Sequence, residues 1–459
     1  MYQIDFNHPI HVHFIGIGGI SMSGLAEILL TKNFRVSGSD SQKSALTDAL
    51  ERKGARIFLG QKAENITTDI DLIVYTSAIH PDNPEYIAMN RLGIPGLSRA
   101  QLLGQIMKNY ETPVAVSGTH GKTTTTSMIS EILLHSDTDP TLSIGGILKS
   151  IRGNTRIGNS GYFVTEACEY TDSFLSFFPK IGIILNIEED HLDYFKDIHA
   201  IRNSFHSFAA LLPKDGVLII NGEIEHRNEI TEGLSCRVLT YGFSSGCDYY
   251  ADDICYDELA HPSFTFKHDG KPDRRFSLAV PGKHNISNAM AALVLADLFS
   301  LEYENVFQAL KNFSGTDRRF EYKGTLNGVT IIDDYAHHPT EITATLSAAQ
   351  NYPHRSVWCV FQPHTYTRTK SFMNEFASAL SLADHIVLTD IYAARETDTL
   401  GISSLNLKEA VESLGHECFY FPSFEETENF LLKNCINGDL LITMGAGDVL
   451  KIGENLLKK

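Results

Sequence analysis

SGTHGKTTTT, at residues Ser117 to Thr126, is the stretch that decides how the centre of this chain folds. It follows the apolar run PVAV and precedes a helical pattern, so it predicts a glycine-rich turn between a strand and a helix. The N–H groups of such a turn bind anions, and Gly-Lys-Thr-Thr suits a nucleotide phosphate with its Mg²⁺. A standard Walker A motif has glycine where Val116 stands, so the predicted cradle is one turn shorter.

A plain connection between a strand and a helix is the structural alternative for this turn. A lysine inside the turn, followed by four threonines of modest helix propensity, argues against that alternative. We therefore predict a nucleotide-phosphate site that uses the main chain and side chains of Gly118, Thr119, His120, Gly121, Lys122, Thr123 and Thr124.

The composition excludes several classes of protein. The 459 residues include 56 acidic and 38 basic side chains, and the net charge of −18 argues against non-specific binding to nucleic acid or anionic membranes. Seven cysteines without a C-x-x-C pair suit reduced thiols, and no run of 18 apolar residues occurs. We expect a soluble cytoplasmic protein, without membrane insertion and without a zinc site.

Three regions of the chain alternate short β-branched runs with helical patterns, which is typical of parallel α/β sheets. The length also favours about three domains of roughly 150 residues each. Pro113 closes the first region because proline disfavours helix before it. We predict an α/β fold with domains at 1–111, 112–315 and 316–459.

The first strand is followed by GIGGISMSG, Gly16 to Gly24, a second glycine-rich turn. The dinucleotide template G-x-G-x-x-G fails at Ser21, so the signal for NAD is weak, but a helix start with three glycines suits a diphosphate. Asp40 ends the next strand, where an acid that binds ribose lies in such folds. Tight packing of strand against helix stays open as the alternative.

Acidic and basic side chains follow several predicted strands. Glu166 and His191 come from strand ends, and Glu169 follows Glu166 closely. Together with a threonine of the phosphate loop, these side chains are suitable ligands for the Mg²⁺ ions of phosphoryl transfer. Asn285 and Asn288 lie at a helix start, where they either bind a ligand or cap the helix. In the third region, strand ends bring polar residues to one edge of the sheet: Asp333, Asp334, His337, His338, His364, Arg368 and Arg395.

Nine motifs along the chain resemble those of the Mur ligases. They are GIGGISMSGLA, SGSD, GTHGKTTTT, EACEY, NIEEDHLDYF, GKHNISNA, GTDRRFE, DDYAHHPTEI and FQPHTYTRTK, and they span the whole sequence. The resemblance implies a Rossmann-like N-terminal domain for a UDP-sugar, a central P-loop ATPase domain, and a Rossmann-like C-terminal domain that closes on both.

The resemblance also implies a reaction. ATP, with Mg²⁺, phosphorylates the carboxylate of UDP-N-acetylmuramate, and the amine of L-alanine attacks the acyl phosphate in the first amino-acid addition of peptidoglycan precursor synthesis. The implied catalytic residues are Lys122, Glu166 and His191, and the implied metal ligands are Thr123, Glu166 and His191. The implied partners are these two small substrates, with the chain a monomer or weak homodimer.

The resemblance assigns the remaining binding residues by motif. Besides the phosphate loop, the nucleotide contacts are Asn285, Asn288, Arg319 and Asp334. The UDP-sugar contacts are Gly16, Gly18, Gly19, Ser21, Asp40, Ser77 and Arg99. The amino-acid contacts are Tyr335, His337, His364 and Arg368.

Three departures and several alternatives remain. Cys168 and Gln101 stand where the family often has acids, and IRNSFHSFA (201–209) lacks the lysine that sibling ligases carbamylate, as expected for the alanine-adding branch. A ligase that adds a preformed tripeptide to the same UDP-sugar is the alternative within the family. An NAD-dependent oxidoreductase explains only Gly16 to Asp40, and a P-loop switch leaves the histidines of the third region unexplained.

Overall fold

The computed structural model describes residues 2–76, 78–394 and 396–459. Strands and helices alternate along the chain, and the strands form three sheets. The predicted α/β class is therefore confirmed, and the architecture is a three-domain α/β fold with parallel and mixed sheets. Among the described residues, no helix has both the length and the apolar character needed to cross a bilayer.

The first sheet has five parallel strands in the order β3-β2-β1-β4-β5. Its central strand β1 is fully buried, and helices alternate with the strands along the chain, as the sequence pattern predicted. The elements are β1 His11–Ile15, α1 Ile20–Thr31, β2 Arg35–Asp40, α2 Ala45–Arg52, β3 Arg56–Leu59, β4 Leu72–Tyr75, α3 Pro84–Leu92, β5 Gly96–Ser98 and α4 Arg99–Met107.

The second sheet combines parallel strands around the phosphate loop with an antiparallel part. The parallel part includes β6 Thr112–Ser117, β7 Thr141–Leu148, β9 Tyr162–Glu166, β10 Ile181–Ile184 and β11 Val217–Asn221, with β8 Gly153–Arg156 antiparallel to β7. The antiparallel part is β13 Tyr249–Tyr256, β14 Pro262–His268 and β15 Arg274–Ser277, and β12 is Arg237–Gly242. The helices are α5 Lys122–His135, α6 Ile198–Ala209, α7 Arg227–Thr231, α8 Lys283–Leu298 and α9 Tyr303–Asn312.

The third sheet has the order β16-β17-β21-β18-β19-β20 and is parallel except for β16. Its strands are β16 Glu321–Leu326, β17 Val329–Asp334, β18 Val357–Phe361, β19 His385–Leu388, β20 Cys418–Tyr420 and β21 Leu440–Met444. Its helices are α10 Pro339–Ala349, α11 Tyr366–Ser371, α12 Met373–Leu380, α13 Ser404–Ser413, α14 Phe424–Asn434 and α15 Leu450–Leu456.

By their contacts the residues form two compact units. The first unit is the chain up to Ile187 together with Ile201–Leu239, and the second is Glu188–Ala200 together with Thr240–Lys459. The first unit holds the N-terminal sheet and the phosphate loop. The second unit holds the antiparallel strands and the C-terminal sheet.

Candidate active site

The phosphate loop in the first unit runs from the end of β6 at Ser117 to the start of α5 at Lys122. Gly118 has φ +141°, and a Cβ there would lie 2.9 Å from the Cβ of Leu185. Gly121, the N-cap residue of α5, has φ +83°. Residues with a side chain rarely adopt these φ values. The two glycines therefore allow the loop to run close over the sheet.

Asn186, two residues after the end of β10, forms three hydrogen bonds with this loop. Its Oδ1 accepts the N–H of His120 at 2.7 Å, its Nδ2 donates to the His120 carbonyl at 3.1 Å, and its carbonyl accepts the Thr119 N–H at 3.1 Å. The N–H groups of Thr119 and His120 are therefore bonded to Asn186 in this structure. The N–H groups of the first turn of α5, Lys122 to Thr124, remain for an anion because a helix start leaves them without intrahelical partners.

Asn186 received no role from the sequence. The only available signal was its position close to the end of a buried strand, at the start of the run NIEEDHLDYF. Asn186 holds the phosphate loop through a hydrogen bond to a residue 66 positions earlier in the chain, and no local sequence pattern reveals such a contact.

Lys122 reaches back over the loop to Glu169, whose side chain is almost fully buried. Its Nζ donates to the two carboxylate oxygens at 2.9 and 3.2 Å, to the Thr119 carbonyl at 3.1 Å and to the Gly118 carbonyl. Burial opposes the charged ammonium, but the attraction of Glu169 outweighs it and raises the pKa of Lys122 above its ordinary value. Lys122 is therefore a fixed cation beside the N-terminus of α5.

Cys168 is the residue that departs from the acidic pattern of this strand end. Burial raises the pKa of its thiol above the ordinary value, and the charge of Glu169 adds to the rise while Lys122 opposes it. The thiol is therefore neutral near pH 7 and contributes no charge. The acidic functions here belong to Glu166 and Glu169.

The structure brings together two of the three predicted metal ligands. Thr123 Oγ1 donates to Glu166 Oε2 at 3.0 Å, and the N–H of Gly145 binds Glu166 Oε1 at 2.6 Å. A hydroxyl and a carboxylate oxygen side by side are suitable ligands for a hard cation such as Mg²⁺. His191 belongs to the second unit, where its Nε2 lies 3.7 Å from Asp190 Oδ2.

The predicted diphosphate turn of the first unit is held by the end of β2. The N–H groups of Gly16 and Ile17 donate to the Ser39 carbonyl at 2.9 and 3.0 Å, and the Gly18 N–H donates to Asp40 Oδ2 at 2.9 Å. Asp40 was expected to bind a ribose, but here its carboxylate supports the turn itself. A Cβ on Gly18 would lie 2.8 Å from Asp40 Oδ2, so this contact requires glycine.

Arg99, the first residue of α4, is half-buried. No described residue forms a hydrogen bond or ion pair with its guanidinium, and burial lowers its pKa from the ordinary value. An arginine held in this way is available to an anionic ligand. Gly19 and Ser21, also predicted here, are exposed at the start of α1, and Ser77 lies outside the described residues.

Gln101 forms a capping box at the start of α4. Its Oε1 accepts the N–H of Ser98 at 2.8 Å, and Ser98 Oγ accepts the N–H of Gln101 at 3.2 Å. Glutamine and glutamate both satisfy this geometry, which explains why glutamine is tolerated where the family often has an acid.

In the second unit, Arg318 and Arg319 take different roles. Arg318 donates to Asp333 Oδ2 at 2.9 Å and to the carbonyls of Gly445 and Gly447 at 2.7 and 3.1 Å, so it fastens the end of β21 to β17. The guanidinium of Arg319 lies 3.8 Å from Glu341 and 5.3 Å from the centre of the Tyr335 ring, and it has no hydrogen bond to a described residue. Arg319 is therefore the arginine of this pair that is available to a nucleotide.

Asp334 ends β17 and is buried, at 6% exposure. Its oxygens accept the N–H groups of Phe320 and Ala336 at 2.9 and 2.8 Å. Burial raises the pKa of Asp334 to about 6, although Arg319 and the two N–H groups favour the ionised form.

Two histidines of the C-terminal sheet edge present opposite hydrogen-bonding groups. His337 Nδ1 lies 3.0 Å from the Tyr335 carbonyl, so it carries the proton and leaves Nε2 as an acceptor. His364 Nδ1 accepts from Arg368 at 3.2 Å, so its Nε2 is a donor. Burial lowers the pKa of both histidines to about 4, so both rings are neutral near pH 7.

Arg368, predicted to bind a carboxylate, is already paired with Asp190. Its Nε and Nη2 donate to Asp190 Oδ1 at 3.2 and 2.9 Å, and both side chains are largely buried. Burial opposes ionisation of Asp190, but the charge of Arg368 outweighs it and holds the pKa of Asp190 well below its usual range. A guanidinium has five N–H groups, and Arg368 uses two of them for Asp190 and one for His364. One N–H on each terminal nitrogen of Arg368 is left.

Asn285 and Asn288 begin α8 and are both buried. Asn285 Nδ2 donates to the Pro281 carbonyl at 2.7 Å, and Asn288 Nδ2 donates to Asn285 Oδ1 at 3.1 Å. The structure thus brings the two predicted residues together. Part of the hydrogen-bonding capacity of their amide groups is used between themselves and with the loop before the helix.

Comparison with known proteins places this geometry in a family. The "Mur ligase family, catalytic domain" matches residues 11–111, the "Mur ligase middle domain" matches 116–296, and the "Mur ligase, glutamate ligase domain" matches 318–447. The UDP-N-acetylmuramate–L-alanine ligases of Agathobacter rectalis and Lachnospira eligens are each 60% identical over 459 residues, with complete coverage of both chains.

The chain belongs to the Mur ligase family. Solved Mur ligases agree with this assignment. The UDP-N-acetylmuramate-alanine ligase MurC of Thermotoga maritima shares 28% identity, covers 98% of both chains and gives a TM-score of 0.80. A murein peptide ligase of Psychrobacter arcticus shares 25% identity over 98% of both chains, with a TM-score of 0.70. As a Mur ligase, the chain is an ATP-dependent ligase.

Proposed function

We propose that the chain joins L-alanine to the carboxylate of UDP-N-acetylmuramate at the expense of ATP, the first amino-acid addition of peptidoglycan precursor synthesis. The observation that carries this proposal is the 60% identity, over the whole chain, to relatives that bear this ligase name. The phosphate loop and the C-terminal sheet edge supply chemistry that fits it. The domain limits of this proposal remain 1–111, 112–315 and 316–459.

The first half of the reaction converts a carboxylate, a poor electrophile, into an acyl phosphate. An oxygen of the carboxylate attacks the γ-phosphorus of ATP and ADP leaves. Charge develops on the migrating phosphoryl group, and Lys122 with the free N–H groups of α5 is placed to stabilise it. Because Glu169 keeps Lys122 charged and immobile, this stabilisation costs little reorganisation.

Magnesium is the cofactor that this proposal requires. Thr123 and Glu166 would hold it in the first unit, and the ion would neutralise phosphate charge. Their oxygen-rich chemistry supports Mg²⁺ over a soft metal. The metal-binding role of His191 stays a prediction from the family resemblance.

The UDP-sugar is assigned to the N-terminal sheet. The glycine turn at Gly16 to Gly19 presents a helix start to the diphosphate, and Arg99 supplies a cation that has no hydrogen bond or ion pair with the residues that the structure describes. Asp40 then acts by shaping the turn, in addition to any contact that it makes with the nucleoside.

The amine is assigned to the C-terminal sheet edge. The neutral His337 offers an acceptor for an ammonium or amine proton, and the remaining N–H groups of Arg368 offer a two-point contact for the alanine carboxylate. The amine nitrogen attacks the acyl carbon, the C–O bond to phosphate breaks, and an amide and inorganic phosphate remain.

We also propose that the protein acts in the cytoplasm, as a monomer or a weak homodimer. The need for ATP and seven cysteines without a disulfide among the described residues agree with a reducing compartment. Sedimentation of the purified chain tests the oligomeric state.

The runner-up is the tripeptide-adding ligase; the 60% identity to relatives named for L-alanine favours the first proposal over it. The decisive experiment supplies ATP, Mg²⁺ and UDP-N-acetylmuramate, and measures phosphate release on adding L-alanine, glycine, L-serine, D-glutamate or the tripeptide. We expect the highest kcat/KM with L-alanine. Release that follows only the tripeptide would replace this proposal with the recycling function.

A further inference from the structure

A fully buried carboxylate in the N-terminal domain takes no part in the chemistry above. Glu85, in the first turn of α3, has no exposed surface. Its Oε2 accepts the hydroxyl of Ser39 at 2.5 Å, and its Oε1 accepts the amide Nδ2 of Asn65 at 2.5 Å. Burying a carboxylate is costly, and an apolar side chain of similar volume usually packs there with no loss of stability.

A line of histidines leads to the same carboxylate along β1. His11 Nδ1 lies 3.0 Å from the Asp69 carbonyl and therefore donates to it, so His11 Nε2 accepts from Ser37 Oγ at 2.9 Å. Ser37 has only one hydroxyl proton, so it must accept at 2.9 Å from Nδ1 of His13.

These bonds determine what faces Glu85. The remaining nitrogen, His13 Nε2, has no hydrogen-bond partner among the described residues and lies 3.7 Å from Glu85 Oε2. His13 and Glu85 therefore face each other as a buried pair, and Oε2 of Glu85 is the carboxylate oxygen nearest to this nitrogen.

The partners of Glu85 lead directly to the glycine turn. Ser39, which donates its hydroxyl to Glu85, uses its carbonyl to accept the N–H groups of Gly16 and Ile17. Asn65 also donates to the Gly60 carbonyl at 3.0 Å, and the Gly60 N–H donates to the carbonyl of Asp40 at 2.7 Å. One carboxylate thereby fixes the ends of β2 and β3 that support the turn.

We propose that Glu85 is a positioning residue that sets the backbone of the Gly16 to Gly18 turn and the carboxylate of Asp40 for the diphosphate of the UDP-sugar. This inference rests on the proposed function of the N-terminal domain. Its role is exerted through Ser39 and Asn65, because a side chain without exposed surface cannot touch the substrate.

The test uses Glu85→Gln and the milder Ser39→Ala in the full chain, with Glu27→Gln as the matched control. Glu27 pairs with Lys53 on the surface of the same domain and has no link to the turn. We expect KM for UDP-N-acetylmuramate to rise about tenfold or more in both test variants, with kcat and the KM for ATP and L-alanine within about twofold of wild type. Calorimetry with UDP-N-acetylmuramate alone should show the same loss of affinity.

A purely structural role predicts a different pattern. It would lower the unfolding temperature but leave KM for the UDP-sugar unchanged in the folded Ser39→Ala enzyme, and that result would overturn the proposal. His13→Gln combined with Glu85→Gln replaces both members of the buried pair and should recover part of the affinity lost in Glu85→Gln alone; absence of recovery would show that His13 does not contribute to the position of the turn. A wild-type enzyme that neither binds nor turns over this UDP-sugar would instead refute the proposed function.

Discussion

At the scale of single residues, the site works through charges whose state the surroundings fix. Glu169 keeps Lys122 protonated, Arg368 keeps Asp190 ionised, and burial keeps His337 neutral. Each of these states depends on a tertiary contact. The sequence could therefore nominate Lys122, His337 and Arg368 by motif, but it could not reveal that Arg368 has a carboxylate partner already.

Lys122→Ala tests the phosphorylating role. Loss of the fixed cation should lower kcat by at least about 10²-fold, the usual cost of removing one preorganised electrostatic contact to a transition state. Calorimetric affinity for UDP-N-acetylmuramate should stay within about twofold, because Lys122 is assigned to the phosphoryl group alone. Glu169→Gln, which leaves the lysine in place, should show a smaller loss of kcat. Wild-type turnover in Lys122→Ala would contradict the mechanism.

Arg368→Ala tests the amino-acid contact. We expect a raised KM for L-alanine, by about tenfold or more, with a smaller change in kcat, because a carboxylate contact contributes equally to ground and transition states. Arg368→Lys should recover little, since an ammonium lacks the planar pair of donors. Steady-state kinetics at saturating ATP measures both variants, and unchanged kinetics in Arg368→Ala would exclude the residue from the site.

Asp334→Asn tests the raised pKa of that carboxyl. An acid whose pKa rises from 3.8 to about 6 on folding binds more protons when folded, so the free energy of unfolding falls as pH rises through that window. The variant cannot ionise, and relative to wild type its free energy of unfolding should gain about 2 kcal/mol between pH 4 and pH 7, above a constant cost for the altered hydrogen bonds. Urea unfolding of both proteins across this range measures the difference. A difference that does not vary with pH would show that Asp334 has an ordinary pKa.

At the scale of elements, the strand-turn-helix unit at β6 and α5 is the part that the sequence predicted best. Its glycines, lysine and helix all lie where the pattern placed them. The local sequence pattern could not show the contacts with the end of the neighbouring strand. There Leu185 leaves room only for glycine at position 118, and Asn186 accepts hydrogen bonds from two N–H groups of the phosphate loop. Gln101 is a similar case, because its capping role appears only when the start of α4 is known.

Gly118→Ala tests the close approach in this turn. The methyl group meets both a disfavoured φ and the Leu185 side chain, so we expect a loss of unfolding free energy of about 2 to 4 kcal/mol and loss of ATP binding. Gly233→Ala is the matched control, because its φ is +72° and nothing lies within 4 Å of the added Cβ. The control should cost about 1 kcal/mol and leave kinetics unchanged. Equal destabilisation of the two variants, measured by urea unfolding, would show that contact with Leu185 is unimportant.

At the scale of the whole molecule, alternating strands and helices were sufficient to predict three α/β sheets and their glycine turns. The antiparallel pairing of β13, β14 and β15, before Pro281, could not be predicted from the sequence pattern and required the structure. Charge also limits the partners at this scale. With a net charge of −18, the chain must hold anionic substrates by local groups such as Arg99 and the N-terminus of α5.

The most direct test of the central claim follows one oxygen atom. UDP-N-acetylmuramate labelled with ¹⁸O in its carboxylate is incubated with the enzyme, ATP, Mg²⁺ and L-alanine, and the products are analysed by mass spectrometry. Ligation through an acyl phosphate leaves the attacking carboxylate oxygen on phosphorus, so each inorganic phosphate released should carry one ¹⁸O, matched by one amide product with L-alanine. Unlabelled phosphate, or labelled phosphate without the alanine amide, would contradict the account.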